Sequence, residues 1–312
     1  MPEMPDIEVY REQLGQRVVG EPIERVRLAS AFVVRTVEPP IRSIEGRRVT
    51  GARRLGKRVV LALEGELFLV VHLMIAGRFR WKERGAPIPG KIGLAAFDFP
   101  SGTLLLTEAS PKKRASIHLV HGEAALRALD PGGLEPLDAT LGAFADALRR
   151  ENHTIKRTLT DPHILSGIGN AYSDEILHRA RMSPVRMTSK LTDDEIAQLH
   201  AATRATLTEW IARLRADAGD AFPEKVTAFR PEMAVHGRFG KPCPACGTAV
   251  QRIAYASNEC NYCPRCQTKG KLLADRSLSR LLHADWPKTI EELEERRSLT
   301  ASATPSPRRP RM

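Results

Sequence analysis

The sequence predicts an α+β protein in which an antiparallel β-sandwich or flattened barrel precedes a mostly helical region and a small cysteine-rich module. Short runs rich in Val, Leu and Phe fill much of the first third, and turn pairs such as Glu64-Gly65 and Ser101-Gly102 separate several of them. Strands that follow one another without intervening helices favour antiparallel sheets. After a Pro/Gly-rich segment at residues 129–136, the apolar spacing becomes helical. We therefore place a domain boundary in that segment.

An amphipathic helix is predicted at the start of the chain. Ile7, Tyr10, Leu14 and Val18 recur at spacings of three and four, and Gly20 follows them. After Gly20 the helical spacing of apolar residues gives way to short runs rich in Val, Leu and Phe. These runs predict strands at residues 23–28, 48–50, 58–63, 67–73, 94–99 and 103–107.

Two capping boxes predict helices in the second half of the chain. Thr192 and Glu195 precede a long apolar stripe, and Thr289 and Glu292 precede a short one. Residues 298–312 are rich in Ser, Thr, Pro and Arg, a composition that predicts a disordered basic tail.

Composition restricts the class of partner. The chain has 312 residues, enough for two domains and a small module, and 48 Lys and Arg against 37 Asp and Glu give a net charge of +11. Such an excess suits a polyanion, nucleic acid first and an anionic membrane surface second. Glu64, Glu66 and His72 interrupt the most apolar region, so we expect no membrane span. The start of the chain lacks a signal-peptide pattern, so we expect a cytosolic protein that is not secreted.

Four of the five cysteines form two close pairs, Cys243-Pro-Ala-Cys246 and Cys263-Pro-Arg-Cys266, with sixteen residues between them. This spacing predicts a zinc ribbon with one structural Zn²⁺ held by four thiolates. Four protein ligands leave no open position for catalysis. Cys260 is interpreted as a spare buried thiol. The module is basic and suits phosphate contact, although zinc ribbons also serve as protein-binding modules.

The first residues contain a candidate nucleophile. Pro2 is small, which favours removal of Met1 and would leave a free secondary amine. An α-amino group has a pKa of roughly 7.7–8.0 and can attack an electrophilic carbon near neutral pH. Glu3 is adjacent and can transfer the proton that such an attack requires. The alternative is that Pro2 and Pro5 only begin a helix.

A turn at Gly167-Ile168-Gly169-Asn170 is a candidate phosphate site. Its amides, together with the start of the next helix, can face a phosphate. Lys156 and Asn170 would add a charge and an amide donor to it. An ordinary connector between helices is the alternative.

Taken together, these motifs resemble the formamidopyrimidine-DNA glycosylase and endonuclease VIII family over residues 2–275. The matching motifs, in family order, are Pro2-Glu3-x-Pro5, Gly56-Lys57, His72-Leu73 with Gly77-Arg78-Phe79, Leu134-Glu135-Pro136-Leu137, the Gly167–Asn170 turn and the four cysteines. The resemblance implies a catalytic β-sandwich at 1–130, a helix–two-turn–helix domain at 131–232, a zinc ribbon at 233–275 and an extension at 276–312.

The resemblance implies a base-excision-repair DNA glycosylase with AP-lyase activity, acting as a monomer on damaged or abasic double-stranded DNA at the nucleoid. Pro2 would attack C1′ of a flipped nucleotide, and Glu3 would protonate the sugar ring oxygen. Lys57 would donate a proton during β-elimination and contact a phosphate. The alternative is a non-catalytic damaged-DNA-binding protein on the same scaffold, and a third reading is a zinc-ribbon adaptor for protein partners.

The sequence departs from the family pattern at the residues that fill the gap left by a flipped base. Ile75 stands at the usual Met position, with Met74 adjacent. The run Lys112-Lys113-Arg114 replaces a pattern that ends in Phe, so Lys112 would donate to the orphaned base and Arg114 would stack. A plain phosphate-binding patch is the alternative interpretation of this run.

Two further departures concern lesion preference and strand cleavage. Asn258 replaces an arginine five residues before the third zinc ligand, and a neutral amide cannot form the same cationic phosphate clamp. The resemblance therefore does not imply that this protein performs the δ-elimination step. Residues 216–235 replace the loop typical of enzymes that excise oxidised purines, so the preferred lesion is left open, with oxidised pyrimidines and bulkier lesions as runners-up.

Overall fold

The structure is a computed structural model that describes residues 1–224, 226–227, 229–255, 258–274 and 287–302. Its helices are α1 (Met4–Val18), α2 (Glu123–Arg127), α3 (Leu141–Arg149), α4 (Ile155–Thr160), α5 (Asn170–Arg179), α6 (Asp193–Ala218), α7 (Pro264–Thr268) and α8 (Ile290–Ser302). Its strands are β1 (Arg25–Leu28), β2 (Val49–Leu55), β3 (Arg58–Leu63), β4 (Leu67–His72), β5 (Gly77–Lys82), β6 (Gly93–Phe99), β7 (Gly102–Glu108), β8 (Ser116–His121), β9 (Gln251–Ala254) and β10 (Glu259–Tyr262).

The first part of the chain is a sandwich of two antiparallel four-stranded sheets, which confirms the predicted fold class. The strand orders are β1-β6-β7-β5 and β2-β3-β4-β8. One apolar core lies between them and includes Tyr10 and Leu14 of α1 together with Leu69, Phe97 and Leu106. Alternating inward apolar side chains of two facing sheets produce such a core.

Two strands of the sandwich were not predicted. In β5, Arg78, Arg80 and Lys82 alternate with aromatic residues, and β8 contains His118 and His121. These strands lack the continuous Val/Leu runs that identified the others. Period-2 alternation over six residues is the signal that would have found β5.

The second domain is helical and has its own core, formed by α3 to α6. Thr192 and Glu195 form the predicted capping box of the long helix α6. Met4 and Val9 of α1 also belong to this second core. Helix α1 therefore packs against both domains, and the start of the chain lies where they meet.

The C-terminal part contains the zinc-ribbon hairpin β9–β10 and, after it, helix α8. Thr289 Oγ1 accepts a hydrogen bond from Glu292 N at 3.3 Å, as predicted for the start of this helix. Helix α8 continues to Ser302 and so extends into the segment for which we predicted disorder. Residues 303–312 of that tail lie outside the described residues. Within the described ranges, no helix has the length and apolar character needed to cross a membrane.

Candidate active site

The start of the chain is packed among charged groups from both domains. Pro2 is buried, and the terminal amine is carried by Met1. Burial lowers the pKa of this amine; Glu3 and Asp6 oppose the shift, whereas Arg78 and Lys57 add to it. The Pro2 nitrogen lies one residue further along the chain and becomes the terminal amine only when Met1 is removed. The structure thus brings Glu3 and Lys57, two of the predicted catalytic residues, to the chain start.

Glu3 is bound by the first turn of α5. Glu3 is only 2% exposed. Its carboxylate accepts hydrogen bonds from Gly169 N (2.7 Å), Ala171 N (2.9 Å) and Tyr172 N (3.2 Å). A helix N-terminus favours negative charge. We predicted that the amides of this turn would face a phosphate; they bind the protein's own carboxylate instead.

The glycine turn allows this contact because it has no side chain at two positions. A Cβ on Gly169 would lie 2.4 Å from Glu3 Cδ, which is closer than any real contact. Gly167 has a φ of +76°, and its carbonyl accepts a hydrogen bond from Met4 N at 2.9 Å. The turn therefore holds both Glu3 and Met4 against the helical domain.

Lys57 occupies the two-residue turn between β2 and β3, after Gly56, which has a φ of +58°. Burial lowers the pKa of its ammonium, and the charge of Glu3 partly opposes this shift. A buried ammonium with a lowered pKa releases its proton more readily than a solvated one. This suits the role of proton donor that the sequence predicted.

His72 is a further residue of this site to which sequence reasoning gave no role. It ends β4 opposite Arg58, and its Nε2 is buried with no hydrogen-bond partner among the described residues. Burial, Arg58 and Lys57 lower its pKa to about 4, so the imidazole is neutral at pH 7. Its position as a polar residue at the end of an apolar run was the available signal.

A cavity of about 400 Å³ lies beside α1, at the junction of the two domains. Asp6, Leu214, Phe222, Val226 and Arg230 are among its lining residues. Burial raises the pKa of Asp6 to about 6, against a hydrogen bond from Glu3 N and the charge of Arg230. The cavity thus combines an apolar wall with a carboxyl group that can gain or lose a proton near neutral pH.

The residues predicted to fill the gap left by a flipped base lie in two turns. Met74, with a φ of +52°, and Ile75, which is 55% exposed, form the connection between β4 and β5. Lys112 and Arg114 are exposed between β7 and β8. The ammonium of Lys113 instead donates hydrogen bonds to the backbone carbonyls of Lys91 and Glu108. Lys112 and Arg114 are therefore more accessible to a ligand than Lys113.

The two predicted phosphate ligands of the helical domain make contacts within the protein. Lys156 Nζ donates to Asn170 O (2.7 Å), Ser173 Oγ (2.8 Å) and Asp174 Oδ1 (2.5 Å). Asn170 Nδ2 donates to Glu259 O at 2.8 Å and so connects α5 to β10. An ammonium has three protons, so a phosphate would have to displace one of the acceptors of Lys156.

Helix α5 also fixes the approach to the zinc ribbon. The carboxylate of Glu175 accepts hydrogen bonds from three consecutive amides, Ala234 N (2.7 Å), Val235 N (2.9 Å) and His236 N (2.9 Å). Asp174 Oδ2 is 2.8 Å from His236 Nδ1. One helix therefore orients Glu3 at its N-terminus and the ribbon along its side.

The four predicted zinc ligands meet in one cluster. The Sγ atoms of Cys243, Cys246, Cys263 and Cys266 all lie within 4.8 Å of one another, with 3.4 Å from Cys246 to Cys263 and 4.0 Å from Cys243 to Cys266. A tetrahedral ion with Zn–S bonds of about 2.3 Å requires S···S distances of about 3.8 Å. The donors fit one structural Zn²⁺, and His178 Nε2, 3.2 Å from Cys243 Sγ, supports that thiolate.

Three family models match successive parts of the chain. They are the formamidopyrimidine-DNA glycosylase N-terminal domain at residues 1–130, the formamidopyrimidine-DNA glycosylase H2TH domain at 133–218, and the zinc finger found in FPG and IleRS at 240–269. The chain is similar to the formamidopyrimidine-DNA glycosylases of Heliobacterium modesticaldum (34% identity) and Roseiflexus sp. RS-1 (35%). Each match covers 86% of this chain and 100% of the relative.

Solved structures agree with this assignment. A complex of the LlFpg protein with THF-DNA and an inhibitor has a TM-score of 0.77 and 26% identity, covering 86% of this chain and all of that one. A complex of Lactococcus lactis Fpg with abasic-site DNA has a TM-score of 0.76, 26% identity and coverages of 85% and 99%. On its motifs, its fold and these similarities, the chain belongs to the formamidopyrimidine-DNA glycosylase family, whose members are DNA repair glycosylases.

Proposed function

We propose that this protein is a bifunctional DNA glycosylase and AP lyase that uses the amine of Pro2, exposed by removal of Met1, as its nucleophile. The observation that carries the proposal is the convergence of the chain start, Glu3 and Lys57 at the junction of two domains. The substrate is double-stranded DNA with a damaged base or an abasic site, the kind of DNA named in complexes of the relatives.

Each of the three groups has a chemical step in this proposal. The Pro2 nitrogen bonds to C1′ as the bond from C1′ to the base breaks, and the departing base takes up a proton from water. The Glu3 carboxylate accepts the proton that the bonded nitrogen loses and passes it to the ring oxygen, so that the bond from C1′ to this oxygen breaks and an iminium forms between Pro2 and C1′. The iminium acidifies the C2′ hydrogen; its loss to water as a proton breaks the bond from C3′ to the 3′ phosphate and cuts the strand, with Lys57 supplying a proton to the departing phosphate.

The nucleotide must leave the duplex to reach the buried amine, at a cost of a few kcal/mol. The exposed Ile75 and the basic Lys112 and Arg114 are placed on turns and can occupy the space that the nucleotide vacates. The cavity beside Asp6 has an apolar wall and a titratable carboxyl group, which suits a heterocyclic base.

Borohydride trapping on abasic-site DNA tests the chemistry. Mature protein is expected to form a covalent adduct, and a matched form that retains Met1 is expected to form none. Mass spectrometry of the active protein must show that Met1 is absent. Salt-sensitive DNA binding without any adduct would instead support a non-catalytic damaged-DNA-binding protein, for which Asn258 and Arg114 are the favouring departures.

Glu3→Gln separates the two activities. It should suppress removal of a damaged base more than cleavage at a preformed abasic site, because only base removal requires the full ring-opening step. Equal losses of both activities would contradict the role given to Glu3.

A further inference from the structure

Arg58, His72 and His118 form a basic patch on the outer face of one sheet, beside Lys57. On that face, Val60, Phe68, Val70 and Val120 form a small apolar cluster with Leu126. Side chains two residues apart on a strand share a face. Arg58 on β3, His72 on β4 and His118 on β8 therefore extend the same face beyond the apolar cluster, toward Lys57.

The strand register places these side chains next to one another. Arg58 lies directly opposite His72. His118 pairs with Val70, which makes it the diagonal neighbour of His72. Diagonal partners on one face are roughly 7–8 Å apart, within reach of long side chains. The patch thus spans three adjacent strands, a width of about 10 Å.

In each imidazole of this patch, one ring nitrogen is left without a hydrogen-bond partner by the described part of the protein. His72 Nε2 and His118 Nδ1 are buried and have no partner there. No hydrogen bond or ion pair of the Arg58 side chain is formed with those residues either. Buried polar nitrogens without partners are costly, so a bound group that accepts hydrogen bonds at this patch would stabilise it.

The electrostatics identify the sign of that ligand. Burial lowers the pKa of His72, and Arg58, Lys57 and His118 lower it further. Burial, Arg58 and Arg35 likewise lower the pKa of His118. Burial lowers the pKa of Arg58, and the negative charge of Asp130 opposes this shift. Several positive groups near two neutral imidazoles favour an anion that can accept hydrogen bonds.

We propose that Arg58 and His118, beside Lys57, form a binding track for the phosphates of the DNA strand that enters the active site. Arg58 supplies charge, and His118 supplies a neutral N–H donor. The track rests on the proposed function for its ligand, since a DNA backbone presents phosphates in a row beside Lys57. Its short width limits it to one or two phosphates.

The salt dependence of DNA affinity tests the track. Each phosphate contact through a cation contributes about −0.9 to the slope of log K against log salt concentration. Arg58→Gln should reduce the magnitude of this slope by about 1 for a duplex with a tetrahydrofuran abasic analogue, and Arg58→Lys should restore it. Arg84→Gln removes the same charge from the exposed turn after β5, where Arg84 forms an ion pair with Glu24, and should leave the slope unchanged.

His118→Leu separates the neutral donor from the cation. Leu extends the adjoining apolar cluster, so the variant should fold, and it should lose several-fold in affinity at pH 8 without a change in slope. Unchanged slope in folded Arg58→Gln, or unchanged affinity in His118→Leu, overturns the track. Borohydride trapping of the control Arg84→Gln should match that of the unmodified protein. Absence of trapping in the unmodified protein would refute the proposed chemistry, whereas the binding measurements on Arg58→Gln and His118→Leu test the track.

Discussion

Gly169→Ala tests the link between the glycine turn and the catalytic carboxylate. The backbone φ of Gly169 is −124°, which alanine adopts without strain, so the effect of the substitution is confined to the new methyl group. That Cβ would lie 2.4 Å from Glu3 Cδ and 2.5 Å from Oε1. Glu3 must therefore move by about 1 Å to restore an ordinary contact, and its bonds to three amides would break or lengthen.

The expected loss follows from those bonds. A hydrogen bond to a charged group contributes about 1.5–3 kcal/mol, so loss of two of the three should lower the free energy of unfolding by roughly 3–6 kcal/mol. With a total stability of about 10 kcal/mol, the middle of the usual range of about 5–15 kcal/mol, the variant stays folded at 25 °C. Because general acid catalysis is worth about 10²–10⁴-fold, base excision should fall at least about 100-fold.

Gly142→Ala is the matched control. Gly142 lies in α3, and nothing lies within 4 Å of the position of its Cβ. This change should stabilise the protein by about 0.4–1 kcal/mol, mainly by restricting the unfolded chain. Urea denaturation and a base-release assay on lesion-containing duplex measure both variants. Equal stability and equal excision in the two variants would refute the account of the turn.

Three other changes test separate parts of the structure. Lys156→Met should lower the free energy of unfolding by about 3–5 kcal/mol because it leaves the Asp174 carboxylate buried without its cation. The control Lys112→Met, at an exposed position, should change the free energy of unfolding by no more than about 0.5 kcal/mol and should weaken DNA binding. The reverse pattern would show that Lys156 binds DNA. The pKa of His72 is about 4 in the folded protein and 6.5 in the unfolded chain, so the stability that its neutral form maintains is complete above pH 6.5 and is lost as pH falls through 4. His72→Gln should reduce the loss of unfolding free energy at acidic pH by up to about 3 kcal/mol, measured by denaturation at several pH values. An unchanged loss at acidic pH would contradict the burial of His72. Cys243→Ser should release zinc, measurable with a chromogenic chelator, and weaken DNA affinity generally; unchanged affinity would show that the ribbon does not grip DNA.

Local patterns in the sequence determined the parts that depend on short-range chemistry. Apolar period defined α1 and most strands, the capping box defined α6, and cysteine spacing defined the zinc ligands. Each of these signals arises within a few residues, or from a fixed ligand geometry, and needs no knowledge of distant partners. The strands with alternating cationic or histidine side chains were missed because their apolar pattern is weaker.

Only the tertiary structure decided which partner each polar group takes. The Gly167–Asn170 turn and Lys156 have the chemistry of phosphate ligands, but folding places Glu3 and Asp174 against them first. Conversely, Arg58 and His118 are unremarkable in sequence, and the pairing of three strands places them beside His72 in one basic patch. A sequence specifies the donors and acceptors, whereas packing sets the distances that determine whether they bind each other or remain available for a ligand.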